Sequence, residues 1–397
     1  MIKKTVFVGL SGGVDSAVSV ALLLKAGYEV VGVFVKTWHP DFLGCNEEEE
    51  RRDAMRVSAH LDIPFLTFDL EDVYKKEVAD YMIREYKIGR TPNPDVMCNK
   101  EVKFGAFFKK ALSMGADFVA TGHYARTSPQ PSPKERGVAP SLLGKEGDGV
   151  KLCKGVDSSK DQSYFLWTLN QKQLSRIIFP IGNLKKTEVR KLAKKFKLPV
   201  AKKHDSQGIC FLGGVDLKEF LKHYIQEKKG KVILVPSTGN EKGPARNATH
   251  SVAGGEEIGF HDGVVFHTLG ERHGFTITKK GPNDARYYVV SKNIKKNILV
   301  VGTRQDLVQN NSTILTNYRI ENTNWISKYP EPNKVYTAQI RYHGEFLPCK
   351  VKLTGISKAE IVFTETASSL PTKTLVAAGQ SCVIYDKDIC LGGGVVV

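Results

Sequence analysis

The chain has 397 residues, 41% apolar and 25% charged, a soluble globular composition with room for two or three domains. Lysine and arginine total 58 against 42 aspartates and glutamates, and the formal net charge of +16 favours a polyanionic partner, nucleic acid before a membrane surface. No apolar run reaches the roughly 18 residues of a membrane span, and the apolar stretch after Lys4 stops at Ser11-Gly12-Gly13, too early for a secretory signal. Seven cysteines, odd in number and without a C-x-x-C pair, argue against a disulfide scaffold or a zinc ribbon. The expectation is a cytoplasmic protein with no membrane partner and no metal site of its own.

Lys4–Leu10 reads as a buried strand, and Ser16–Ala26 carries Ala17, Val20, Ala21 and Leu24 at helical spacing. Glu29–Val35 is a second strand. Glu47–Leu61 is a helix with Ala54, Val57 and Leu61 on one face and an acidic first turn, which suits the positive end of the helix dipole. Phe65–Leu70 predicts a strand, Glu71–Tyr86 and Asn99–Met114 helices, and Asp117–Ala120 another strand. This alternation predicts an α/β fold, a doubly wound parallel sheet covered on both faces.

Ser128–Gly149, rich in Pro, Gly, Ser and charge, reads as a mobile surface insertion. Between Lys185 and Lys203 stand nine Lys or Arg and one acid, Glu188. Within that stretch Thr187–Lys197 predicts a helix that buries Val189, Leu192, Ala193 and Phe196 and turns Lys191, Lys194 and Lys195 outward. Such a face suits a phosphate backbone, or is an ordinary solvated helix face. The texture changes at Asp216. Gly230–Gly255, rich in Gly, Asn, Ser and Lys, holds another loop, with 236–252 as an insertion, and Phe260–Arg304 reads as short strands among glycines. From Tyr318 to Val397, alternating segments such as Val335–Arg341 and Ile361–Thr364 predict a β-barrel. The expected domains are 1–215, a small central α/β domain over 216–309, and a barrel over 310–397.

Two features carry chemistry. Gly9-Leu10-Ser11-Gly12-Gly13-Val14-Asp15-Ser16 joins a strand to a helix. Glycines there let backbone amides approach a phosphate at a positive helix end, Ser11 and Ser16 add hydroxyls, and Asp15 can bear on a magnesium ion beside a pyrophosphate. The loop lacks the GK[ST] of a Walker A motif. The second feature is Cys98, reached through Thr91-Pro92-Asn93-Pro94-Asp95-Val96-Met97, two prolines making a rigid, non-helical approach. With Asn99 as N-cap, Cys98 lies by a helix N-terminus near Lys100 and Lys103, which favours a thiolate; a packed thiol is the equal alternative. From the residues alone Cys210 reads as a buried structural cysteine.

SGGVDS resembles the PP-loop of the ATP pyrophosphatase superfamily, whose members split ATP between its α and β phosphates and adenylate a carbonyl oxygen. PNPDVMCNKEVKF, ATGHYAR, GVDSSKDQSYFL, DSQGICFLG, TLGERHGF and ICLGGGVV then resemble, in order, the tRNA-specific 2-thiouridylase family, from about residue 4 to the last residue. The resemblance implies an adenine nucleotide alpha hydrolase-like PP-loop domain, a small central domain and a C-terminal tRNA-binding barrel. It implies 2-thiolation of the wobble uridine with ATP and Mg2+, on tRNAs for Lys, Glu and Gln, with sulfur from a cysteine desulfurase or relay protein. Gly9 to Ser16, Val35 and Gly122 would bind ATP. Asn93, Pro94 and Asp95 would surround the target base, with Asp95 near the reacting carbonyl. Cys98 would be the nucleophile and Cys210 would carry the persulfide.

The resemblance also assigns tRNA contacts to His123, Lys160, Asp161, Gln162, Arg341, Tyr342 and Gln380. Read without it, 160–162 is a solvated turn, His123 a capped surface histidine, Arg341-Tyr342 a cross-strand pair, and Gln380 carries no signal. Val35 departs from the family's frequent Met, and the two insertions look longer than the family's loops. The competing readings are another PP-loop synthetase and a tRNA-binding protein without catalysis. Two cysteines argue against the first, since an amidating enzyme needs no sulfur relay, and the intact SGGVDS and Asp95 argue against the second.

Overall fold

The computed structural model describes residues 3–44, 46–128, 149–205, 216–235, 255–279, 286–303, 317–364 and 376–397. Residues 129–148 of the first expected insertion, the whole of the second, Cys45 and Cys210 lie outside the described residues.

The first sheet is parallel and is built from β1 (Thr5–Gly9), β2 (Glu29–Lys36), β3 (Phe65–Asp69), β4 (Phe118–Ala120) and a two-residue strand, Ile177–Ile178. Their order is β3, β2, β1, β4 and then Ile177–Ile178. Side chains alternate between its faces, as the twofold strand period requires. Val6 and Val8 of β1 join Val30 and Phe34 of β2 under α1 (Val14–Ala26), α2 (Glu47–His60) and the helix Lys186–Lys195. Phe7, Val33 and Val119 face the other way, under the helical runs 71–87 and 94–113. Strand order reverses between β1 and β4, so the loops after these two strands open a crevice at the carboxyl end of the sheet.

The predicted elements of this half are present with small shifts of boundary, and Lys191, Lys194 and Lys195 are exposed as expected. One expectation is corrected. The helix carrying Cys98 starts at Pro94: Asn93 is its cap, with Oδ1 accepting from the Val96 amide at 3.1 Å. Proline is favoured at the first helical position because its missing N–H has no partner there anyway, so Pro94 begins the helix and Asn99 lies inside it. The stretch in which a loop is expected, Gly230–Gly255, opens with a strand, Gly230–Leu234, at the centre of the second sheet. Its neighbours Glu257–His261 and Ile298–Gly302 pair with it on both sides and bury Val232, so tertiary context overrides a glycine- and lysine-rich local signal.

The last sheet closes on itself. β5 to β10, in chain order, are Asn317–Trp325, Tyr336–Gln339, Leu347–Gly355, Lys358–Phe363, Ser381–Asp386 and Ile389–Val396. β5 pairs with both β8 and β10, which completes an antiparallel barrel. The hairpin Ala125–Ser128 and Lys151–Lys154 extends this sheet from the first domain, Cys153 pairing with Ile389 and Leu152 with Cys390.

Both later domains grip the chain that leads to Cys98. The Thr91 amide donates to Ala378 O at 2.8 Å, Gln380 Nε2 to Thr91 O at 2.8 Å, and Arg90 to Val396 O at 3.2 Å. Gly379, with φ of 96°, lies so close that a Cβ would sit 2.9 Å from the Thr91 carbonyl. From the central domain, Lys292 Nζ donates to Gly89 O at 2.9 Å and to His267 O at 2.6 Å.

His261 in the central sheet is 1% exposed, and burial, then the neighbouring His267, lowers its pKa to about 4. A neutral native imidazole takes up a proton on unfolding below its ordinary pKa near 6.5. Stability is therefore full above that value and falls by roughly 1.4 kcal/mol per pH unit from about 6.5 down to about 4. Urea melts across this range should show the slope, and His261→Phe should flatten it.

Candidate functional site

α1 begins at Val14 after an extended Gly13, so the amides of its first turn open at the switch point of the sheet. Gly12 has a φ of 70°, and a Cβ there would come within 2.3 Å of the Glu50 carbonyl oxygen. The Ser11 and Ser16 hydroxyls stand 3.3 Å apart, and Ser16 Oγ donates to Gly13 O at 3.1 Å. Gly122, in the loop after β4, closes the other side: a Cβ there would meet the Ser16 amide nitrogen at 2.8 Å. Leu10 and Val14 are buried beneath the loop, and Val35 lies at the end of β2. Backbone crowding explains Gly12 and Gly122 better than flexibility does. The result is a cradle lined by amides and hydroxyls.

Asp15 does not face solvent alone. Lys186 Nζ donates to both of its oxygens at 2.8 Å, and Tyr124 OH donates at 2.8 Å. Burial, then the Asp15 carboxylate, pushes the Tyr124 phenol up, which keeps it protonated and donating. The same Lys186 ammonium lies 2.8 Å from Asp205, which also accepts from Lys160 at 3.0 Å and from Arg190. Burial would raise the Asp205 carboxyl, but hydrogen bonds from Lys186 and Lys160 outweigh it and hold it at about 2. Three cations thus meet two carboxylates beside the cradle, leaving positive charge for an anion.

Sequence reasoning missed Lys186, Arg190, Tyr124 and Asp205 as parts of this site. Lys186 and Arg190 were inside the basic run Lys185–Lys203, and Asp205 opens DSQGICFLG. Their convergence is tertiary and has no local signature.

Asn93, Pro94 and Asp95 are partly exposed at the start of the 94–113 helix, while Cys98 is fully buried, at 0% exposure. Cys98 opens a ten-residue stretch, Cys98–Phe107, in which the helix takes the wider π pattern, a departure often found at functional sites. Asn99 donates to Asp95 O at 2.9 Å.

Residues 160–164 tie this helix start to the cradle. Gln162 Oε1 accepts from the Tyr124 amide at 3.0 Å, Lys160 holds Asp205, and Tyr164 hydrogen-bonds Asn93. Tyr164 also donates to Ser381 O of the barrel at 2.9 Å. Asp161 accepts from the Gly155 and Ser163 amides at 2.9 and 3.1 Å and thereby fixes the turn. Tyr342 packs on Phe165 with ring centroids 4.4 Å apart; burial, then Asp161 and Asp95, pushes its phenol up to about 12.

The structure therefore brings together Gly9 to Ser16, Gly122, Asn93 to Asp95, Cys98, Lys160 to Gln162, Tyr342 and Gln380. Lys160, Asp161, Gln162 and Gln380 have partners within the protein. His123 is 6% exposed, bonded to Thr121 Oγ1 at 2.7 Å and set between Phe104 and Phe179, and burial, then Lys103, lowers its pKa. It is a core residue in this conformation, not a surface histidine. Arg341 is half-buried beside Tyr342.

Known proteins give three matches in register with these domains. A family model described as tRNA methyl transferase HUP domain matches residues 4–214, the tRNA methyl transferase PRC-barrel domain 218–303, and the aminomethyltransferase beta-barrel domain 315–396. The tRNA-specific 2-thiouridylase MnmA of Listeria monocytogenes serotype 4a (strain HCC23) is 39% identical over 98% of this chain and 94% of its own. Its namesake in Geobacillus thermodenitrificans (strain NG80-2) is 40% identical with the same coverage. Among solved structures, the U34-tRNA thiolase NcsA from Methanococcus maripaludis is a distant likeness, with a TM-score of 0.32 and 17% identity over 56% of this chain and 67% of that one.

Lys186→Met removes the cation between Asp15 and Asp205 and leaves two carboxylates facing the cradle. Equilibrium titration should show ATP affinity falling by roughly tenfold or more, the size of one charge-assisted hydrogen bond. Adding Asp205→Asn should recover part of the loss.

Proposed function

Because the chain belongs to the tRNA-specific 2-thiouridylase family, we propose that it replaces the C2 oxygen of the wobble uridine of a tRNA with sulfur, at the expense of ATP. The observation that carries this reading is the link through residues 160–164. That segment holds Asp205 and Tyr124 of the phosphate cradle at one end and Asn93 of the Cys98 helix at the other. An activated base and an attacking sulfur need this juxtaposition. The family model's description speaks of methyl transfer, but a pyrophosphate cradle beside a cysteine suits adenylation and sulfur delivery.

C2 oxygen is a poor leaving group, and adenylation converts it to one that departs as AMP. The amides at the N-terminus of α1, with Lys186 beside them, would hold the pyrophosphate as it separates. Among the described residues no cluster of three His, Cys, Asp or Glu is placed to hold a metal ion. Asp15 fits a magnesium ion that arrives with the phosphates, provided Lys186 yields one of its contacts; such an ion supplies charge stabilisation on the phosphate oxygens.

Sulfur arrives on Cys210 as a persulfide. In one route its terminal sulfur attacks C2, AMP leaves, and the Cys98 thiolate then attacks Cys210 Sγ to free the thiolated base. In the other, Cys98 attacks Cys210 Sγ first and the hydrosulfide released attacks C2. Both end in a Cys98–Cys210 disulfide. Turnover then requires a two-electron thiol reductant and a fresh persulfide from a cysteine desulfurase or relay protein.

We further propose tRNAs for Lys, Glu and Gln as substrates, domains 1–215, 216–309 and 310–397, and a cytoplasmic setting. No helix among the described residues is long and apolar enough to cross a membrane. The exposed Lys191, Lys194 and Lys195 supply a face for the phosphate backbone, and a flipped uridine reaches Asn93–Asp95.

The test is thiolation of an unmodified tRNA transcript with ATP, magnesium, a cysteine desulfurase and labelled cysteine, read by nucleoside mass analysis. The expected result is label in 2-thiouridine with stoichiometric AMP. Cys98→Ser and Cys210→Ser should abolish thiolation and leave tRNA affinity within about threefold; loss of binding in both would overturn the catalytic assignment. Cys98 is fully buried, so maleimide should modify it slowly in the resting protein and faster with tRNA bound, as followed by peptide mass mapping.

A further inference from the structure

The turn 341–346, which follows β6, has two sides. Inward, Tyr342 packs on Phe165 within electrostatic reach of Asp95. Outward, His343 and Phe346 are exposed, Phe346 by 39%. The turn is fixed in shape: Gly344 N donates to Arg341 O at 2.9 Å, Gln339 Nε2 donates to Gly344 O at 3.1 Å, and His343 sits at a φ of 57°.

Phe346 is not a stray apolar side chain. Its edge-on neighbour is the buried Tyr385, at 5.2 Å and 82°, which holds the ring upright on the barrel. Lys154 from the first domain places its ammonium 3.6 Å from the ring centroid and makes no ion pair among the described residues. A partly exposed aromatic ring with an ammonium over one face, which Asp161 and Asp388 influence without a direct ion pair, offers the pairing that single-stranded nucleic acid uses, base on ring and phosphate on cation. Phe346 stands four positions after Tyr342, at most about 14 Å of chain. The platform therefore stands within one or two nucleotides of the base-binding end of the site.

We propose that Phe346 stacks on a base immediately flanking the target uridine, with Lys154 on the adjoining phosphate. This deepens the reading of the site as a tRNA thiolase and rests on it. Flipping the uridine strips its neighbour of a stacking partner, and Phe346 supplies a replacement surface. Phe346 would thus be a positioning residue, acting on the substrate outside the reacting atoms.

The experiment measures tRNA affinity and thiolation for wild type, Phe346→Ala and Phe346→Trp. Each is tested on an intact transcript and on transcripts with an abasic nucleotide 5′ or 3′ of the target. Phe346→Ala should weaken binding to the intact transcript about tenfold, the size of one base–aromatic stack, with kcat and ATP affinity unchanged. Phe346→Trp should stay within about threefold. One abasic transcript should lose about tenfold with wild type and nothing further with Phe346→Ala. Lys154→Gln should lower the salt dependence by about one counterion. Undiminished binding by Phe346→Ala, or losses that multiply on both abasic transcripts, would overturn the stack. Thiolation by wild type with either of those results would overturn the stack alone, and absence of thiolation by wild type would overturn the site reading with it.

Discussion

The short segment from Gly89 to Asn93 is the constraint on which the arrangement depends. It is chain without regular structure, yet two domains hold it through backbone groups. Ala378, Gln380 and Val396 come from the barrel, and Lys292 comes from the central sheet. Asn93 then caps the helix that carries Cys98, so the position of the cysteine is set by contacts that lie far away in sequence. A loop held only by its own residues would sample many conformations, and misplacement by about 1 Å is enough to lose orders of magnitude in rate. The two later domains therefore belong to the geometry of the site as much as to any surface they offer a partner.

Electrostatics does for the cradle what the clamp does for the cysteine. Lys186 bridges Asp15 and Asp205 at 2.8 Å, with Tyr124, Lys160 and Arg190 completing the set. None of these carboxylates is left uncompensated, and the excess charge is positive. The network is also a route of communication in a plain physical sense. A ligand that draws Lys186 toward phosphate changes the balance on Asp205, the last described residue before the segment that contains Cys210.

Much of the first domain was legible in the sequence because its strands and helices carry their own periods. Val6, Val8 and Phe7 announce both faces of β1, and Gly12 announces a turn that no side chain fits. What stayed hidden was tertiary. Asn93 and Asn99 are both plausible caps by type, and Pro94 decides between them only when its position as first helical residue is recognised. Gly230–Leu234 has a loop-like composition and becomes a strand because it has partners on both edges. Lys186 looked like one more surface lysine. For residues 160–162 the family resemblance implies tRNA contacts, and the structure shows each of them committed to a neighbour inside the protein.

The pairing of Lys151–Lys154 with β10 bears on how the molecule is assembled. Leu152 and Cys153 pair with Cys390 and Ile389, which lie far along the chain from them. Contacts of such sequence separation form late, since the intervening loop entropy must be overcome first. During synthesis the hairpin waits with one edge unpaired until β10 has emerged. The nucleotide-binding half therefore matures last at the very edge that meets the barrel, and a chain lacking β10 would be left with an open sheet edge and a loosened grip on the segment around Thr91.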